Sequence, residues 1–157
     1  MAEHIWTVLC HRACVDRETN LISLLEATEK VVVPPGQLEK ARAASPKAKS
    51  HRLLARVQMQ LATWWKRTQR DEPEQTLSRL SMIDVDGEEF SSHEVPVPLD
   101  EFAGFRAVAN IEAIPIDRGS GTMWFRVSRR DDDEWTLVAS IPLEIEIAEP
   151  SEQAEDS

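Results

Sequence analysis

The sequence predicts an all-β fold: an antiparallel two-sheet β-sandwich, Ig-like or C2-like in architecture, with about eight strands. Three observations indicate this class. Apolar and polar side chains alternate along several segments, turn-forming residues recur between those segments, and helical periodicity is scarce. A sheet with one apolar face must cover that face, and a second sheet packed against it does so. A closed barrel is the alternative, because it also buries one face of its sheet.

Alternation is clearest in two segments. From Arg52 to Trp65 apolar side chains occupy odd positions and polar side chains mostly even ones, which predicts a half-buried strand. From Glu134 to Ile147 the same pattern predicts a longer strand, bent near Pro142. Enrichment in β-branched and aromatic residues predicts six further strands. They cover residues 5–14, 21–32, 76–85, 88–97, 105–116 and 122–129.

The segments between these strands carry turn chemistry and one short helix. Turns are predicted at residues 16–20, Asp86-Gly87, 119–121 and 131–133, and their spacing favours antiparallel pairs. Residues 37–44 have good helix propensity but only one large apolar side chain, so a helical turn or two is expected inside a mobile basic loop at 34–50. The basic side chains of this loop are Lys40, Arg42, Lys47 and Lys49.

Length and composition predict one domain at residues 1–147, followed by a disordered acidic tail at 148–157. Apolar runs stop at four residues, whereas a membrane span needs about 20, so no span is expected. Two cysteines and no recognisable leader at the N-terminus predict a cytoplasmic location.

The net charge of −10 is unevenly distributed. Residues 37–70 hold nine basic side chains and one acid, a local charge of +8, which leaves −18 on the remainder. The overall charge argues against a protein wholly dedicated to nucleic acid, because phosphate neutralisation supplies most of that affinity. The basic segment still leaves two alternatives to mere solubility: contact with a polyanion or anionic surface, or docking on an acidic partner.

Cys10 and Cys14 resemble the beginning of a metal or redox site, with His4 and His11 nearby. In a strand that rises about 3.3 Å per residue, the two cysteine Cα atoms stand about 13 Å apart. A disulfide needs roughly 4.4–6.8 Å, and two zinc-bound thiolates must be similarly close. If residues 5–14 are extended, the two cysteines are therefore small packing residues, and no cofactor or metal is expected there.

Clustered aspartates suggest a divalent-metal module as a further alternative. The stretch from Asp84 to Glu89 resembles part of a calcium loop, although an Asp-Gly hairpin turn explains the same letters. Some β-sandwiches bind calcium between their end loops, so a weak site would form if this turn lay beside Asp131, Asp132 and Asp133. The hypothesis depends on that convergence.

Tryptophan and arginine mark a candidate binding surface. Trp64 and Trp65 are adjacent, so in a strand they face opposite ways; Trp65 is in phase with the core and Trp64 with the arginines. Trp124 likewise alternates with core-phase neighbours and shares its parity with Arg126. Tryptophan and arginine dominate the energetics of protein interfaces. The proposed surface consists of Arg52, Arg56, Trp64, Trp124 and Arg126; the alternative is that these rings cover sheet edges.

No catalytic residue can be assigned. The chain lacks a Gly-x-Ser-x-Gly elbow, a P-loop, a dinucleotide-binding glycine motif and a His-Glu-x-x-His motif. We therefore expect a non-catalytic module that binds a protein partner through an outer sheet face or through the edge strand near 88–97, which Pro96 and Pro98 guard. Polyanion contact through residues 37–70 and a divalent-metal role are the alternatives.

Several landmarks resemble a family of small bacterial β-sandwich proteins of unknown function. In that family a first strand ends in a Val-Asp turn, as at Val15-Asp16, and leads into a Leu-Ser-Leu-like strand, as at 22–24. The turn at 86–89 and the strand at 121–127 are similar to its later landmarks, and the resemblance spans about 5–147. It implies a sandwich fold and no particular activity.

Overall fold

The computed structural model describes residues 2–16, 18–19, 21–44, 52–69 and 74–149. Within these ranges the chain forms nine strands and one helix. In chain order they are β1 (Ala2–Val15), β2 (Ile22–Ala27), β3 (Lys30–Val33), α1 (Gln37–Ala44), β4 (Leu54–Arg67), β5 (Glu74–Ile83), β6 (Glu89–Leu99), β7 (Gly104–Pro115), β8 (Gly121–Asp131) and β9 (Glu134–Ile147).

The strands form two sheets, which confirms the predicted all-β sandwich. The four-stranded sheet has the order β2-β1-β4-β7, and the five-stranded sheet has the order β3-β9-β8-β5-β6. Strands β6 and β7 are therefore edge strands, one in each sheet, and the prediction of an edge strand near 88–97 is confirmed. The basic residues Lys47 and Lys49 and the tail from 150 to 157 lie outside the described residues.

The core lies between the two sheets and follows the alternation of the sequence. On β4 the inward side chains Met59, Leu61 and Trp65 are buried. They face alternate residues of the five-stranded sheet that are equally enclosed: Met123, Phe125, Val127, Leu143 and Ile145. Each sheet covers the apolar face of the other, which is the physical reason that the alternation predicted the architecture.

One predicted strand, 21–32, is wrong, because the chain there leaves one sheet and enters the other. Strand β2 pairs with β1, whereas β3 pairs with β9 in parallel, against the expectation of antiparallel pairs. Two adjacent residues mark the crossing: the Thr28 N–H donates to Leu9 O of the four-stranded sheet, and Glu29 O accepts from the Glu144 N–H of the five-stranded sheet. Glu26, at φ 55°, bends the chain just before this point.

Candidate interaction surface

The outer face of the four-stranded sheet carries a row of two indoles and a guanidinium. Register places Trp6 of β1 beside Trp64 of β4, and Trp64 beside Arg106 of β7. The Trp6 and Trp64 ring centroids are 6.1 Å apart, and the Arg106 guanidinium carbon lies 5.0 Å from the Trp64 centroid. An arginine over a tryptophan ring at this distance gains a cation–π attraction. The three side chains therefore form one stacked unit across three strands.

The next row of the same face is apolar. Val8 pairs with Ala62, and Ala62 pairs with Val108. Ala62 has no exposed surface although it points away from the core, whereas Val108 is 37% exposed. We call the two rows together the tryptophan face, defined by Trp6, Trp64, Arg106, Val8, Ala62 and Val108. The five-stranded sheet packs on the opposite face of this sheet, and the helix α1 contacts β4.

Gly104, at the start of β7, gives the Trp64 indole its place. A Cβ atom at position 104 would lie 3.3 Å from Trp64 Nε1 and 3.5 Å from Trp65 O. The indole thus lies across the backbone of β7, where any side chain would push it outward. The absence of a side chain at Gly104 therefore lets the indole lie close to the backbone of the sheet.

Within the part of the chain that the structure describes, no carboxylate lies beside the charge of Arg106. Within the described ranges no ion pair includes Arg106, and its Nε is buried without a hydrogen-bond acceptor. Arg79 on the other sheet provides a comparison: it also stacks on an indole, Trp135, at 4.2 Å, but Glu94 neutralises it at 2.9 Å. Among the described residues the guanidinium of Arg106 therefore has no acidic partner.

A hydrogen-bonded glutamine closes the tryptophan face on one side. Gln60 Oε1 accepts from the Ala13 N–H at 2.6 Å, and its Nε2 donates to Asn110 Oδ1 at 2.8 Å. These bonds tie β1, β4 and β7 together where β1 and β4 stop pairing, after Cys10 and Gln60. The glutamine therefore holds the three strands that carry the two rows.

The structure separates the residues predicted to form one surface. Trp64 belongs to the four-stranded sheet, whereas Trp124 and Arg126 lie on the outer face of the five-stranded sheet. Arg56 is exposed at a bulge of β4, and Arg52 precedes that strand and pairs with acids of another hairpin. The sequence therefore placed residues from both outer faces of the sandwich on one surface, which the fold does not allow.

Trp6 and Arg106 are the members of the site that sequence reasoning missed. Their side chains stand beside Trp64 only because of strand register, and a bulge between His4 and Trp6 sets that register on β1. Alternation within one strand carries no information about its neighbour's register. The only local signal was the position of Trp6 in an apolar strand.

The cysteines lie in a strand, as predicted. Both belong to β1 and both are free; Cys10 is buried and Cys14 exposed. Burial raises the pKa of the Cys10 thiol. Among the described residues no group of three or more histidine, cysteine or acidic side chains is placed to hold a metal ion.

The acid-rich turns do not converge. β5 runs antiparallel to β8, so the 84–88 turn after β5 lies beside the start of β8, while the 131–134 turn follows the end of β8. The two turns thus occupy opposite ends of the five-stranded sheet. Asp131 is held by Arg129 at 2.6 Å, and this guanidinium lowers the pKa of the Asp131 carboxyl.

Asp84 is a structural carboxylate. It is buried, its Oδ2 accepts from Arg52, and its Oδ1 accepts from the N–H groups of Asp86 and Glu88. Burial by itself would raise the pKa of Asp84, but the guanidinium and the backbone donors outweigh it and hold the pKa below its usual range. The acidic residues that resemble a calcium loop therefore form a hairpin turn, which the hydrogen bonds to Asp84 hold in place.

Comparison with known proteins assigns no function to this surface. No protein-family model matches the sequence, and no curated protein matches it. The resemblance to a family of bacterial β-sandwich proteins thus stays a prediction. In the described part of the chain, the one helix has eight residues, too few to cross a membrane.

Proposed function

We propose that this protein is a non-catalytic binding module and that the tryptophan face holds a protein partner. The observation that carries the proposal is the row Trp6, Trp64 and Arg106, which lies on the outer face of the four-stranded sheet, away from the other sheet. Tryptophan and arginine are the residues most enriched where interfaces have their largest energies. The adjacent apolar row widens this into a contiguous patch, which is typical of interaction sites.

The charge on the face indicates the partner's chemistry. Arg106 is half-buried and has no carboxylate among the described residues, so a partner that supplies an aspartate or glutamate beside apolar side chains would satisfy it. A protein surface of this kind suits the site better than a nucleic acid, because a net charge of −10 repels a polyphosphate chain. The second arginine-bearing face is less suited, since Arg79 there already has Glu94.

The alternative of polyanion contact through residues 37–70 has less support. Arg52 is occupied by Asp84 and Glu88, while Lys47, Lys49 and Arg70 lie outside the described residues. Lys40 and Arg42 are both on α1. The divalent-metal alternative needed the two acid-rich turns to meet, and they are at opposite ends of one sheet.

The test is an affinity purification with matched variants on the two outer faces. Trp64→Ala and Arg106→Glu alter the tryptophan face, and Trp124→Ala and Arg126→Glu make the same chemical changes on the opposite face. We expect the first pair to lose the captured partner and the second pair to retain it. Capture at roughly 50 and 200 mM salt separates an apolar interface from a charge-driven one, whose affinity would fall steeply.

Melting curves of all four variants provide the control for folding. Loss of capture counts only where the variant melts cooperatively near the wild type. Arg106→Glu is the more informative change, because it reverses a charge while Trp64→Ala also removes an indole that lies on Gly104. Equal capture by wild type and Arg106→Glu would contradict the proposal.

A further inference from the structure

An apolar crevice opens between the two sheets at the edge formed by β6 and β7. It has a volume of about 380 Å³ and reaches the core, because Leu61, Ile111 and Phe125 line it and all three are buried. Its lining also includes polar residues: Ser91 and His93 come from β6, and Asn110, whose side chain bonds Gln60 on the outer face, and Glu112 come from β7. The crevice lies between the two sheets, whereas the tryptophan face is the outer face of the four-stranded sheet; the two share strand β7.

Small side chains create this crevice. On β7 the lining includes Ala109, which pairs with Leu61. On β6 the residues that pair with the core-facing Met82 and Leu80 are Ser91 and His93, so these two polar side chains occupy inward positions. Ala109 and Ser91 both line the crevice, and neither fills the space that larger apolar side chains would occupy.

The dimensions and edges exclude larger occupants. A volume of about 380 Å³ lies at the lower end of the range of roughly 300–1,000 Å³ for small-molecule pockets. A helix, about 10–12 Å wide with its side chains, does not fit between sheets that pack about 10 Å apart. Addition of a strand to β6 is opposed by Pro96 and Pro98, which lack the N–H that pairing requires.

The geometry points to a binding site for a small amphiphile with an apolar tail and a hydrogen-bonding head that is not anionic. The tail would lie on Leu61 and Phe125, and the head would meet the hydroxyl of Ser91 and the imidazole of His93. Glu112 in the lining and the net charge of −10 disfavour a carboxylate head. This ligand is separate from the protein partner proposed above.

Fluorescence of the neutral apolar probe N-phenyl-1-naphthylamine, followed by displacement, tests the site in the full chain. We expect saturable binding of one probe per chain and displacement by decanol and by decylamine. Decanoate, which has the same tail, should displace the probe about tenfold less well, a difference of about 1.4 kcal/mol. Because the three competitors have the same ten-carbon tail, differences in their displacement of the probe reflect the head group alone.

Three variants locate the binding. Ala109→Leu fills the crevice from β7 and should weaken binding of the probe by about tenfold or more. Ser91→Leu fills it from β6 and should have the same effect, which protects the test if one variant folds poorly. Ser92→Leu adds the same side chain at an exposed neighbouring position and should leave binding unchanged. Glu112→Gln should reduce the discrimination against decanoate.

Two results would overturn the inference. One is the absence of saturable probe binding by the wild type. The other is equal binding by wild type, Ala109→Leu and Ser91→Leu when both variants melt cooperatively. Decanoate that binds as well as decanol to the wild type would refute the assignment of a head that is not anionic.

Discussion

Replacing Arg52 by methionine should lower the free energy of unfolding by about 2–3 kcal/mol. Removing one partner of a buried ion pair costs about 3–5 kcal/mol, because the other charge stays buried. Here Asp84 is 2% exposed, but it keeps the N–H donors of Asp86 and Glu88, and the Arg52 side chain is 25% exposed. These features reduce the expected cost to the range given. Methionine retains an apolar stem against Phe90, over which Arg52 lies.

The effect should depend on pH with a definite sign. The pKa of Asp84 is lowered in the folded state, so its contribution is complete above the unfolded value near 3.9 and is lost as pH falls through the lower folded value. In Arg52→Met the guanidinium that opposed desolvation is absent. The stability difference between wild type and variant should therefore be largest at neutral pH and shrink below about pH 4.

Urea unfolding from pH 7 to pH 3 measures both quantities, and a melting scan gives a second readout. For a domain of this size about 1 kcal/mol corresponds to roughly 2–4 °C, so Arg52→Met should melt about 4–12 °C lower. Arg118→Met is the matched control. Arg118 is 43% exposed and lies 3.3 Å from Asp86 and 3.5 Å from Glu88, so its loss should cost less than about 1 kcal/mol.

The two arginines distinguish a structural role from a binding role. Equal losses in the free energy of unfolding for Arg52→Met and Arg118→Met would refute the reasoning, because burial of Asp84 would then make no difference to stability. In that case Arg52 would again be a candidate for binding a partner. A large cost would confirm that the sequence pattern placed a structural residue among the binding candidates.

Three other predictions concern single positions. Gly121→Ala should destabilise the fold by about 1–3 kcal/mol, since the new Cβ would lie 2.4 Å from Val85 Cγ1, and Val85→Ala in the same chain should recover part of the loss in urea unfolding. Thiol titration of the native protein should modify exposed Cys14 quickly and buried Cys10 only on unfolding; equal rates would contradict the assigned burial. Glu26→Gly should be neutral or stabilising by up to about 1 kcal/mol in urea unfolding, because Glu26 is exposed and has φ 55°; a clear loss would show that this side chain matters.

Local features of the chain were predictable without the structure. Alternation identified the inward residues Met59, Leu61 and Trp65, and turn and helix propensities located the turn at Asp86-Gly87 and the helix at 37–44. The extended course of β1, and with it the two separate thiols, also followed from composition. Each of these depends on the geometry of one strand, turn or helix, and that geometry is set by neighbouring residues.

What the sequence determined by itself is which side of each strand faces the core, because burial of apolar side chains requires it. Only the tertiary structure decided which strands share a sheet. That decision separated Trp64 from Trp124, brought Trp6 and Arg106 beside Trp64, and paired Arg52 with Asp84. The physical reason is that strand pairing joins residues far apart in the chain, and many pairings bury similar apolar area. Alternation within one strand cannot select one of these pairings. The combined effect of packing, bulges and buried charges selects it.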